Sequence, residues 1–375
     1  MRSASEARSG LAAAVAGGAL LIGVLVLARG GGRGAVLLAI GAALGLTLYH
    51  AGFGFASAYR RWIVAGDAGA IRAQLLMLAL ATLMFAPLLA AGSAFGQPLG
   101  GFVAPLGANL LIGAFLFGIG MQLAGGCGSG TLYTVGGGNP RMAIVLAAFI
   151  AGSFAGSLHL PWWERLPAAP PLALGEAFGP AGVALQLAAI AAAAYALRGH
   201  TLPHVQARLV AGPWPLLAGA VLLAALNALT LALAGQPWGI TWAFALWGAK
   251  AAAAVGWDPA GSPWADGTMR AALDAPLSAD VTTVMDVGLM LGAALAAGLA
   301  GRFAPRIAIG AKSAAAALLG GLLMGYGARL AYGCNVGAFF SGVASTSLHG
   351  WLWIAAALPG SWVGVRLRPW FGLAN

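Results

Sequence analysis

The sequence predicts an all-α integral membrane protein with nine to ten transmembrane helices. Three observations predict it. Hydrophobic residues make up 61% of the 375 and charged residues 7%, against about 25% charge in an ordinary soluble domain. The mean hydropathy is +0.88. The apolar residues fall in long runs rather than alternating ten-residue segments, which selects helices over a transmembrane barrel. This balance excludes a cytosolic enzyme, a nucleic-acid-binding domain and a disordered scaffold.

Taken in order, the runs lie at 11–28, 34–50, 73–92, 105–124, 142–160, 181–197, 213–234, 284–301, 312–331 and 350–365. Charged or Pro-rich breaks separate them. Two further apolar stretches, near 50–59 and 237–250, are too short to span and read as re-entrant helices. Glycine numbers 59, roughly twice its usual share of about 7%. In a membrane bundle, glycine lets helices approach closely and permits irregular backbone where that backbone lines a cavity.

The net charge of +10 fits a protein whose cytoplasmic loops collect Lys and Arg, so the expected partner is a bilayer and no nucleic acid. Arg198 and Arg208 share a loop with His200 and His204, Arg302, Arg306 and Lys312 another, and Arg366 and Arg368 follow the last span. Placing these inside puts both termini in the cytoplasm of a bacterial inner membrane. It also places Arg2, Arg8, Arg60, Arg61, Arg72 and Arg141 inside, 13 basic residues against four outside. Of those four, Arg29 and Arg33 run against the trend, and Arg165 and Arg270 complete the set. Lys250 and Arg329 fall at membrane depth. The loop 257–282, with Asp258, Asp266, Asp274 and Asp280, faces outward.

An internal repeat supports this trace. GIGMQLAGGCGSG at 118–130 and GYGARLAYGCNVG at 325–337 share seven of thirteen positions, including Cys127 and Cys334. A weaker pair joins Phe53-Gly54 through Trp62 to Trp238-Gly239 through Trp247. Each half then holds an odd number of spans, which inverts the second against the first. Residues 11–160 and 181–365 are expected to form two inverted halves of one membrane domain, with short re-entrant helices at the centre. Inverted repeats with interrupted helices at matching places point to a transport path near the midplane.

Gly125-Gly126-Cys127-Gly128-Ser129-Gly130 cannot favour a helix, since each Gly costs about 1 kcal/mol relative to Ala. A thiol in such a turn is presented to a cavity. It is a weak donor and a soft acceptor, suited to a sulfur- or selenium-bearing solute. Backbone N–H groups at half-helix starts attract anions. The cysteines form no CxxC pair, Met residues do not cluster, and no HExxH, Rossmann or P-loop pattern occurs, so no metal or cofactor is expected. A membrane thiol redox protein remains the alternative from another class. It would need a base beside the thiols.

GGCGSGTLYTVGGGNPRM, YGCNVGAFFSGVASTSLHGWLW and QPWGITWAFALWGAK resemble the signature segments of the YeeE/YedE family of inner-membrane sulfur-compound transporters. The resemblance covers about 34–365. It implies an hourglass-like helical fold and import of thiosulfate or a similar sulfur anion, with no enzymatic activity. It also implies a relay in which Cys127 and Cys334 pass the terminal sulfur from thiol to thiol, and a separate cytoplasmic sulfur-carrier protein as partner. One departure stands out: Gly54 occupies the place of the family's usual first cysteine, which leaves a related sulfur or selenium species as an alternative substrate. The candidate path residues are Cys127, Cys334, Gly54, Gly126, Gly128, Gly333, Asn335 and Arg329. The last is there because a charge inside an apolar run marks function. His50 and His349 flank the motifs, Asn109, Gln122 and Asn227 are suited to bonds across helices, and Trp238, Trp242 and Trp247 are candidates to wall the path.

Overall fold

A backbone in hydrocarbon must satisfy its own hydrogen bonds, and each long apolar run does so as a helix. The computed structural model describes residues 2–202, 205–303 and 309–375, with side chains from Glu6 onward. His204, Arg306 and the side chain of Arg2, read above as inward charges, lie outside the described residues.

All ten expected spans are helices: α1 (Arg2–Ala28), α2 (Arg33–Ala51), α4 (Gly69–Ala91), α5 (Ala108–Ala124), α7 (Pro140–Trp163), α8 (Leu174–Ala196), α9 (Leu216–Ala234), α12 (Val281–Leu299), α13 (Ala311–Leu330) and α15 (Leu348–Leu367). Among the described residues, nine helical stretches are long and apolar enough to cross a membrane. The tenth, α15, has 20 residues, and its hydropathy is diluted by His349, Pro359 and Arg366. The fold is that of an all-α integral membrane protein.

Several boundaries differ from the sequence expectation for local reasons. The span expected from 181 does begin there: Gly179, at φ 58° and ψ −139°, is not helical and separates it from a short helical turn that starts at Leu174. The span expected from 105 starts at Ala108, because Leu106–Gly107 pairs antiparallel with Ala168–Ala169. The short stretch expected at 50–59 is α3 (Phe55–Ala65): α2 ends at Ala51, where Gly52 takes a positive φ of 56°. The stretch expected at 237–250 is α10 (Thr241–Ala254). Two more short helices follow the cysteines. They are α6 (Gly128–Gly136) and a π-helical segment, Asn335–Ser341, continued by α14 (Gly342–Ala344). The acidic loop 257–282 carries α11 (Gly267–Asp274).

Helices pack in matched pairs. α2 lies on α12 and α9 on α4; α5 lies on α15 and α13 on α7; α1 covers α12 and α8 covers α4; α5 and α13 meet at the centre. The glycines explain how close these contacts are. On α2 and α12, a Cβ at Gly45 would fall on the Leu289 carbonyl, and one at Gly292 on that of Ala42. Between α5 and α13, a Cβ at Gly120 would stand 2.7 Å from the Gly320 carbonyl oxygen. In lipid, where tails are as apolar as side chains, such close approach is the main source of helix association.

Candidate functional site

Four short helices begin in the middle of the bundle, and their first residues touch. Cys127 is the N-cap of α6 and Cys334 the N-cap of the π-helical segment. Both are extended, with φ, ψ of −86°, −165° and −105°, −167°. Each is reached through a turn that needs left-handed backbone: Gly125 at φ 86°, and Tyr332-Gly333 at 60° and 150°. A helix start leaves N–H groups without intrahelical partners, and here they point at sulfur. The N–H groups of Val336 and Gly337 face the Cys334 thiol. The N–H of Gly130 faces that of Cys127, as does the N–H of Phe55, the first residue of α3. Ser129 Oγ lies 3.3 Å from the Cys127 sulfur.

The two thiols are neighbours across the repeat. A Cβ built on Gly128 would stand 3.1 Å from Cys334 Sγ and 3.6 Å from Ile240 Cγ2, at the start of α10. Gly337 closes the ring, 3.9 Å by the same construction from Gly239 Cα. Both cysteines are free thiols, 1% and 0% exposed.

Of the other expected path residues, Gly126 and Gly333 form the turns that deliver the two cysteines. Asn335 is fully buried; its Nδ2 donates to Tyr59 Oη at 3.5 Å, and its Oδ1 has no partner. Gly54 is the N-cap of α3 and lines a cavity of about 40 Å³ with Ser57, Arg61 and Gln74. A Cβ there would lie 2.6 Å from Ser57 Oγ and 3.5 Å from Tyr133 Oη. Arg329 stands apart from the thiols. Its stem packs on Gly156 of α7, its guanidinium lies 5.6 Å from the Trp242 ring centroid, and its Nε is buried without a partner.

Larger cavities open beyond the far ends of the short helices. One of about 550 Å³ is lined by Ala344, Ser345 and Thr346; one of about 310 Å³ by Tyr49, Tyr133, Thr134 and Arg302. Both thiols are buried and line neither cavity, so the centre is closed to solvent. Among the described residues, no cluster of His, Cys, Asp and Glu could hold a metal ion.

The remaining polar residues take structural places. Asn109 donates to the Leu330 carbonyl and Tyr332 Oη, Gln122 to the Ala56 carbonyl, and Asn227 to Ser341 Oγ. Lys250 donates to the carbonyls of Leu273 and Ala275 at 2.6 Å, capping α11. His349 Nδ1 pairs with Ser347 Oγ, and His50 packs on Trp214. Trp242 and Trp247 donate to Asp280 and Thr283. Sequence reasoning missed Tyr59 and Tyr133, whose hydroxyls reach Asn335 and Gly54, and Asp286, a wholly buried acid on α12. A single acid in an apolar run was the signal for Asp286.

Residues 50–363 match the family described as Sulphur transport. Over 345 residues, 87% of this chain and 96% of the relative, the sequence is 28% identical to the thiosulfate transporter TsuA of Spirochaeta thermophila. A 50-residue stretch is 52% identical to the probable transporter YedE of Escherichia coli, and the same holds for YedE of Salmonella typhimurium. That stretch spans 13% of this chain and 12% of either YedE. These names describe transporters, not enzymes. With the family match running from the end of the second span into the last, over the helices that build the central ring, the chain belongs to the sulphur transport family.

Proposed function

We propose that this protein imports thiosulfate, or a closely similar sulfur-containing anion, across a bacterial inner membrane, with both termini in the cytoplasm. The carrying observation is the pair of buried thiols on helix starts, in contact through Gly128. The TsuA relative, aligned along nearly its whole length, supports the substrate class.

The chemistry follows from the donors. N–H groups that donate to a thiol sulfur leave its S–H free to donate onward. The terminal sulfur of thiosulfate is a soft acceptor that fits such a donor, while the anion's oxygens fit backbone N–H groups at helix starts. The path runs from the cavity at Ala344–Thr346 to Cys334, across Gly128 to Cys127, then past Gly54 and Tyr133 to the opposite cavity. Gly126 and Gly333 shape the turns, Asn335 offers an amide beside Cys334, and Arg329, set beside Trp242 and apart from the thiols, adds positive charge within the bundle. Because the centre is occluded, each transfer needs a small shift of the short helices.

The matched helix pairs support a reading of 11–160 and 181–365 as inverted halves about this centre. Expected partners are the small sulfur anion, the lipid bilayer and a separate cytoplasmic sulfur-carrier protein. Uptake of thiosulfate labelled at its terminal sulfur, in cells lacking their own importers, tests the function. No uptake by the intact protein, expressed in the membrane, would overturn it.

A further inference from the structure

Asp286 has no place in the scheme above. It is 0% exposed, and among the described residues neither carboxyl oxygen has a hydrogen-bond partner. Among the described residues, it is the one buried acid. A carboxylate without a partner at membrane depth is costly, and such residues mark ion pathways and proton relays. Asp286 makes no structural hydrogen bond to explain its presence.

Its surroundings are specific. On α12, Thr283 and Asp286 are neighbours three residues apart, and Asp280 caps the helix by accepting from the Thr283 N–H. This end of α12 meets α10: Trp247 Nε1 donates to Thr283 Oγ1, and Trp242 Nε1 to Asp280 Oδ1, both at 3.0 Å. A polar file therefore runs from the end of α12 into the core, about 9 Å in depth at 1.5 Å per residue. At its inner end α12 packs on the helices of the central ring: on α6, which begins beside Cys127, and on α10, whose N-cap Ile240 lies beside Gly128.

Competing charges are few. Beyond their ends, α1 and α2 carry no ionisable side chain between Arg8 and Arg29, or between Arg33 and Tyr49. α6 contributes Tyr133 besides its capping Cys127. The turn Leu277–Ala279 before α12 carries none, and Asp280 after it is held by Trp242 and the Thr283 N–H. On α10 the ionisable side chain is Lys250, whose ammonium is held by the Leu273 and Ala275 carbonyls. Among the described residues no cationic side chain pairs with Asp286, and a proton is the simplest counter-charge for it.

We propose that Asp286 is the proton-binding site that couples anion transport to proton movement. An anion arriving at the central ring is repelled by an ionised Asp286 and admitted when that carboxyl is protonated. Anion and proton then cross in the same direction, and each proton carried cancels one negative charge. This rests on the transport reading, deepening it by naming the coupling ion.

The full-length protein in liposomes, with a trapped pH-sensitive dye, tests both separately. Wild type should exchange labelled thiosulfate. An acid-outside gradient should raise its initial uptake severalfold, and adding thiosulfate should acidify the lumen. In Asp286→Asn the ratio of uptake with and without the gradient should fall to about one, and the acidification should vanish. Exchange by wild type that ignores the gradient, or gradient stimulation that survives in Asp286→Asn, overturns the inference alone. Absence of exchange in wild type overturns the transport reading. Should Asp286→Asn fail to fold, infrared spectra of wild type decide: a protonated carboxyl band perturbed by thiosulfate supports the assignment, and its absence overturns it.

Discussion

The Cys334 sulfur rests against Gly128, where a side chain's first carbon would stand 3.1 Å away. The residue after one thiol is thus the floor of the other. Gly128→Ala would push the added methyl against Cys334 and Ile240. With backbone strain absent at this φ, the fold should survive, while thiosulfate uptake falls severalfold. Expression level and initial uptake rate, measured together, check this; unchanged uptake would mean that the anion does not pass between the two thiols.

Cys127→Ala and Cys334→Ala should each leave expression intact. Either removes an S–H donor to a charged substrate. Hydrogen bonds of that kind contribute about 1.5–3 kcal/mol, so uptake should drop roughly ten- to a hundredfold. Wild-type rates in either variant would return the cysteines to a packing role.

At Gly54 the new side chain meets Ser57 Oγ, which now donates to the Gly54 carbonyl at 3.1 Å and can rotate away. Gly54→Cys is therefore accommodated and adds a thiol between Cys127 and the Tyr133 cavity. One further hydrogen bond, about 0.5–1.5 kcal/mol, changes uptake only a few-fold. Competition of labelled thiosulfate with sulfate and selenite, in wild type and variant, should show a rise in rate or a shift toward thiosulfate. No change in either would place Gly54 off the path.

Gly45→Ala and Gly292→Ala should both destabilise the bundle, because each methyl lands on a carbonyl of the facing helix. Overpacking of this sort costs about 1–3 kcal/mol, visible as a lower unfolding temperature in detergent. Gly239→Ala, with nothing within 4 Å of its Cβ, is the matched control and should keep the wild-type unfolding temperature.

Lys250→Met removes the ammonium from the carbonyls of Leu273 and Ala275. Loss of charged hydrogen bonds at a helix end should cost about 1.5–3 kcal/mol of stability. Uptake per folded molecule should not change, since Lys250 touches neither thiol. A transport defect without a stability defect would move Lys250 onto the path.

Much of this was legible beforehand because hydrophobicity and glycine act locally. Each apolar run became a helix, and the glycines around Cys127 and Cys334 announced turns that a helix could not pass. The boundaries were less legible. Gly179 breaks the helical backbone, and the short turn before it lies outside the apolar run that marks the span. The partnership of Tyr133 with Gly54 joins segments 79 residues apart, which no local pattern reports. Arg329 drew attention as an intramembrane charge, whereas Asp286, equally out of place by composition, went unnoticed. Which of the two sits on a helix packed against α6 is a fact of packing and not of spacing.

The short helices that follow Cys127 and Cys334 start head to head, each presenting the positive end of its dipole to the centre. Their joint potential is built from peptide groups, which do not titrate. That part of the attraction is the same at pH 5 and pH 9, and it favours anions over cations without a lysine or arginine at the centre. Acidity then acts through Asp286, whose charge is added to or removed from a peptide field that itself stays constant.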